Sequence, residues 1–170
     1  ENNPALPQGQ GQFLLFNDAE SFGWNYELDK NARVYGLGEN LHGLNKRGHL
    51  YQSFCADDPN QTEDKVSLYA SHNFILIVPD ALLQAPGRKP FGVFFDYPGR
   101  ITFDIGFTKE NEITVTCDHP DIDVYFITSD DDLPELSICH QLRLLTGPSY
   151  IPPQWAFGYM QSRWGYRNEK

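Results

Sequence analysis

The sequence predicts a mainly β protein, an antiparallel β-sandwich with a single helix near its C-terminal end. Three observations carry that expectation: strict apolar/polar alternation in several short stretches, turn residues every few positions, and only one segment with helix start and stop signals. Aromatic residues make up 14% of the 170-residue chain, and 14 Gly and 12 Pro supply the turns. That length suits one domain with a respectable core.

The elements follow in chain order. "QFLLFNDAESFGWNYEL", residues 12 to 28, holds two short apolar and aromatic runs divided by Asn17, Asp18 and Gly23, the pattern of strand, turn, strand. In "VYGLGENLHGLNKRGHLYQSF", residues 34 to 54, Gly36, Gly38, Gly43 and Gly48 exclude a long helix and favour short strands with shaped loops. "SLYASHNFILIVPD" contains a continuous apolar strand from Phe74 to Val78, and "FGVFFDYPGR" a second buried-looking strand. Strict alternation then sets Ile101, Phe103 and Ile105 against Thr102 and Asp104, and Ile113, Val115 and Cys117 against Thr114 and Thr116. A last strand places Ile122, Val124 and Phe126 on one face, for about nine strands between residues 11 and 128.

The helix is predicted over about Leu133 to Leu145, with Asp132 as N-cap, Glu135 as capping-box partner and Gly147–Pro148 as the stop. The acidic run Asp130, Asp131, Asp132 is read as favouring the helix's positive end rather than as a calcium site. Ile151, Pro152 and Pro153 then form a rigid connector, and "WAFGYMQSR" reads as a further apolar strand from Trp155 onward.

Composition bounds the function. The formal net charge of −10, from 23 acidic against 13 basic residues, disfavours nucleic acid and anionic membrane surfaces as partners, and no apolar run reaches transmembrane length. Cys55, Cys117 and Cys139 are odd in number and widely spaced, so neither a disulfide framework nor a metal site is expected, and no cofactor is implied. The chain opens on Glu1 without a basic segment and apolar core, so removal of either the true N-terminus or a signal is expected, and the expected location is the cytoplasm.

"YGLGEN" at 35 to 40, "CADDP" at 55 to 59, "SLYASHNFIL" at 67 to 76 and above all "YIPPQWAFGYMQSRWGY" at 150 to 166 resemble the N-terminal part of glycoside hydrolase family 31, the α-glucosidase group. The resemblance runs in order from about residue 30 to residue 170. It implies a galactose-mutarotase-like sandwich over 1–150, and over 151–170 a linker and the first strand of a (β/α)8 catalytic barrel. A barrel of that kind takes roughly 250 residues, so the remainder of it is expected to be missing.

Retaining glycosidases need two carboxylates about 5 Å apart, a nucleophile and a general acid/base. The family carries both on later barrel strands, so no catalytic residue is expected in this chain, and the segment alone is expected to be inactive. The resemblance does assign a binding role: Asp57, in "CADDP", matches the sandwich-loop aspartate that reaches the hydroxyls of the −1 sugar. On the residues alone, Asp57, Asp58 and Pro59 would simply start a turn; with the resemblance, Asp57 touches sugar and Asp58 stays a turn or supporting residue. Trp164 follows the presumed barrel strand and is expected either to offer a platform to a +1 sugar or to pack at the domain interface, while Arg163 orients a barrel carboxylate or bridges the domains.

His42, His49 and His72 have no metal-ligand spacing, and Glu39 with His42 in "GENLHG" is expected to shape a loop rather than act as a mutarotase-type acid/base pair. The expected activity is therefore that of a retaining α-glucosidase, with an α-glucoside as substrate and the barrel as intramolecular partner. The alternatives are a non-catalytic carbohydrate-binding or interdomain packing module, and another α-glycosidase of the family such as an α-xylosidase. The apolar face of "WAFGYMQSRW", left uncovered, is expected to promote self-association.

Overall fold

A computed structural model of the chain describes residues 14–17, 21–55, 57–60, 62–80, 89–161 and 165. Among these lie nine strands: β1 (Leu14–Asn17), β2 (Phe22–Glu27), β3 (Arg33–Gly38), β4 (His49–Ser53), β5 (Ser71–Val78), β6 (Phe91–Asp96), β7 (Ile101–Ile105), β8 (Glu112–Cys117) and β9 (Asp123–Thr128). One sheet has the order β1-β2-β8-β7-β4 and the other β3-β5-β6-β9. Every pairing is antiparallel. The predicted sandwich is formed, and the two strands expected at its opening pair as β1 and β2; the turn expected between them falls on residues 18–20, outside the described residues.

Alternation explains the core. Ile101, Phe103 and Ile105 of β7 and Ile113 and Val115 of β8 are fully buried, while Thr102, Asp104, Thr114 and Thr116 lie on the opposite, partly exposed face. Phe95 links the sheets, standing edge-on to Trp24 at 5.6 Å and to Phe103 at 5.6 Å. In β9 the expected face holds, with Val124 and Phe126 packed against this core; Ile122 packs there too but precedes the strand.

The continuous apolar run in β5 has a different cause. Ile75 and Ile77 fill the sandwich, whereas Phe74 and Leu76 face outward into a second cluster with Ile127 and Ile138, the latter on helix α1 (Pro134–Thr146). A strand covered on both faces loses its alternation. Gly92 of β6 lets the helix settle, since a Cβ there would lie 2.5 Å from Phe74 Cε2 and 2.8 Å from Ile138 Cγ2.

Two expectations near the C-terminal end are corrected. The helix begins with Pro134 in its first turn and Leu133 as N-cap, with no side-chain cap, so Asp132 does not cap it and the capping box with Glu135 does not form. Proline's fixed φ suits the first helical position and sets the start one residue later. The carboxylate held in place there is that of Asp131, which accepts hydrogen bonds from Ser137 and from Ser129 Oγ at 3.0 Å and is kept below the usual carboxylate range, chiefly by Ser137. Gly147, at φ +92°, ends the helix as expected.

The predicted strand in "WAFGYMQSR" is also absent over its described residues: Gln154–Phe157 form a 3-10 turn, and Gly158 to Gln161 have no strand structure. A strand exists only through hydrogen bonds to a neighbour, and Trp155, at the start of this stretch, is 74% exposed. Among the described residues no helix is long and apolar enough to cross a membrane.

Candidate functional site

The segment between β4 and β5, residues 54–70, carries "CADDP" and is tied down at both ends. Ser53 Oγ donates to Asn73 Oδ1, and Asn73 Nδ2 donates to the Tyr97 carbonyl at 2.9 Å, so the last residue of β4 is joined to β5 and to the β6–β7 connection. The Gln52 amide donates to the Val66 carbonyl at 2.7 Å, and Ser67 Oγ to the Phe54 carbonyl. Arg100 lies over the Phe54 ring at 4.4 Å. The Cys55 thiol sits 3.4 Å from Ser71 Oγ, a hydrogen bond that lowers its pKa.

Within that frame the two aspartates have different fates. Asp58 Oδ1 accepts the Asn60 amide at 3.0 Å, closing a local turn. Asp58 Oδ2 pairs with Lys65 Nζ at 2.7 Å, and the Asp58 carbonyl accepts from Lys65 Nζ at 3.3 Å and Tyr69 Oη at 2.8 Å. The Lys65 contact, followed by the Asn60 amide, holds the Asp58 carboxyl below its usual range. Asp57 is exposed, and its carboxylate has no hydrogen bond or ion pair to another described residue. With Asp58 tied to Lys65 and Asn60, Asp57 is the exposed member of the pair, its oxygens available to an external donor.

Trp164 and Arg163 lie outside the described residues, so the site contains Asp57 alone of the predicted sugar contacts. Lys65 and Tyr69 were not anticipated: neither belongs to a periodic or short-range pattern that points back to Asp58.

The histidines form no such centre. His42 and His49 stack face to face, with centroids 3.9 Å apart and planes 3° from parallel, and both meet the Tyr51 ring near 6 Å: 6.1 Å for His42 and 6.2 Å for His49. Burial, then His42 and Lys46, lower the His49 pKa. Lys46 is itself buried, donating to the Gly43 carbonyl at 2.8 Å and the Leu41 carbonyl at 3.3 Å, and so shapes the glycine-rich loop. No hydrogen bond or ion pair joins His42 to Glu39, and among the described residues no group of three or more His, Cys, Asp or Glu is placed to hold a metal.

The chain matches the model of the glycosyl hydrolase 31 N-terminal galactose mutarotase-like domain over residues 7–104. It is 31% identical over 170 residues to alpha-glucosidase 2 of Bacillus thermoamyloliquefaciens, covering 94% of this chain and 20% of that protein. It is 28% identical over 140 residues to the alpha-glucosidase of Saccharolobus solfataricus, covering 82% and 19%. Its fold is similar to that of the GH31 dextranase of Flavobacterium johnsoniae solved with glucose, with a TM-score of 0.70 and 25% identity over 85% of this chain and 16% of that one. The chain thus spans about a fifth of the length of these relatives. Its two-sheet architecture and that match over 7–104 place it in the glycosyl hydrolase 31 family, as the N-terminal galactose mutarotase-like domain.

Proposed function

We propose that this domain completes the substrate pocket of a retaining α-glucosidase, with Asp57 accepting hydrogen bonds from the hydroxyls of the −1 sugar. The observation that carries this reading is the contrast within "ADDP": one carboxylate is consumed in fixing the loop, and its neighbour is exposed with no bond to another described residue. An ionised carboxylate held in place accepts two hydroxyl donors, and such charge-assisted bonds are stronger than neutral ones. The two catalytic carboxylates belong to a (β/α)8 barrel that begins, after a linker, within 151–170 and follows the 1–150 sandwich, and Trp164 offers a platform to the +1 sugar. That division is supported by relatives about five times longer than this chain.

A second reading, an interdomain packing module without sugar contact, is favoured by one feature. Tyr150, Ile151, Trp155, Phe157, Tyr159 and Met160 are each 67% exposed or more, a run too apolar to face water without a partner. The barrel would cover it, and in its absence a second copy would.

Asp57→Ala in the full-length enzyme separates the two readings. Loss of the −1 contact lowers kcat/KM by about 10- to 150-fold, the range for a hydrogen bond to a charged group. Wild-type kinetics in that variant would leave only the packing module.

A further inference from the structure

We propose that Lys65 and Tyr69 are positioning residues for Asp57, holding its carboxylate at the angle from which it meets the sugar; the inference rests on the pocket reading above. Residue 58 is gripped at two points by one ammonium, through its carboxylate at 2.7 Å and its carbonyl at 3.3 Å. Tyr69 Oη adds a second donor to the same carbonyl at 2.8 Å. Consecutive Cα atoms are ~3.8 Å apart, so a residue fixed on side chain and backbone leaves Asp57 only its own torsions.

An ordinary exposed ion pair would not do this, because two free side chains lose as much entropy as they gain in attraction. Here the partners are unequal. The Lys65 side chain is 14% exposed against 48% for Asp58, so the lysine is the settled member and the aspartate comes to it. The lysine is anchored in turn: its amide donates to the Thr62 carbonyl at 3.3 Å, and the next residue, Val66, accepts the Gln52 amide of β4 at 2.7 Å. Tyr69 stands two residues before β5. Both strands at the ends of the loop therefore lead, through Val66 and Tyr69, to residue 58 and thence to Asp57.

The consequence is kinetic. Moving a positioned group by 1 Å costs up to ~100-fold in rate, so Lys65→Met in the full-length enzyme is expected to lower kcat/KM by about three- to thirtyfold. The split between kcat and KM should follow that of Asp57→Ala. Tyr69→Phe removes one hydroxyl and nothing else from the loop, so it provides a milder variant that keeps the fold; its effect should be smaller and in the same direction. Lys65→Arg should restore most of the loss, because a guanidinium can still bridge the two oxygens.

The deciding experiment is the double variant. If Lys65 acts through Asp57, adding Lys65→Met to Asp57→Ala changes nothing further. Additive losses, or a lysine variant as active as wild type while Asp57→Ala is impaired, would overturn the positioning role and leave the pocket reading standing. Wild-type activity in Asp57→Ala would instead overturn the pocket reading, and this inference with it.

Discussion

Gly36→Ala tests the sandwich at its least forgiving point. Gly36 sits in β3 at φ +124°, where the register against β5 shifts between Gly36 and Gly38. A Cβ there would lie 2.2 Å from the Phe74 carbonyl oxygen, 3.1 Å from its carbon and 3.2 Å from Ile75 Cα. All three are backbone atoms of β5, so relief requires the ladder to move rather than a side chain to turn. Two costs combine: an L residue held at positive φ, about 1–3 kcal/mol, and an overpacked contact, about 1–3 kcal/mol. Gly43→Ala provides the control, because Gly43 also has a positive φ, +76°, but its Cβ would meet nothing within 4 Å. It should show the conformational cost alone, about 1 kcal/mol. Urea unfolding of the 170-residue chain by far-UV circular dichroism gives both values as shifts in midpoint at constant m. The expected losses are about 4 kcal/mol for Gly36→Ala against about 1 kcal/mol for Gly43→Ala, a large share of a domain's ~5–15 kcal/mol. Equal losses at the two glycines would refute the steric argument.

Three further outcomes are expected. Iodoacetamide should label Cys55 first and Cys117 last, because Cys55 is exposed with its pKa lowered by Ser71 whereas burial raises that of Cys117; equal rates by peptide mass spectrometry would contradict this placement. Stability should fall on acidification from about pH 7 to 5: the folded His49 pKa is depressed by burial, His42 and Lys46, so the unfolded chain binds its proton first and the contribution of neutral His49 is lost as pH drops. His49→Gln should flatten that slope in urea titrations across the window. Light scattering of the isolated chain should show association that Trp155→Ser with Phe157→Ser abolishes, since both side chains are 74% exposed; a monomer at all concentrations would argue against the uncovered interface.

Much of this fold was legible because period-two patterns survive wherever one face of a strand is wet. β7 and β8 show it residue by residue, from Ile101 to Ile105 and from Ile113 to Cys117. β5 reads as a continuous run for the reason now visible, helix α1 lying over Phe74 and Leu76. The helix itself was legible to within a residue, but a proline at its first turn displaced the cap, and a serine pair selected Asp131 over Asp132. The stretch after Pro153 was misread because an apolar sequence encodes only a preference for β structure, and the hydrogen-bonding neighbour that realises it must come from elsewhere.

The candidate site divides in the same way. The pair Asp57–Asp58 could be read along the chain. The partners that make them unequal could not, since Lys65 and Tyr69 meet Asp58 across a non-repeating loop where spacing carries no signal. Lys46 was hidden for another reason: lysine is almost always exposed, and its burial against the Leu41 and Gly43 carbonyls follows from loop geometry alone.

We propose that this domain shapes a glycosidase pocket without holding the catalytic groups. Release of p-nitrophenol from p-nitrophenyl α-glucoside, measured in parallel for the 170-residue chain and for the full-length protein, tests it most directly. Turnover is expected from the full-length protein and none from the 170-residue chain. Turnover by the chain itself would contradict it, because the acid and the nucleophile would then lie among residues assigned here to the sandwich and its loop.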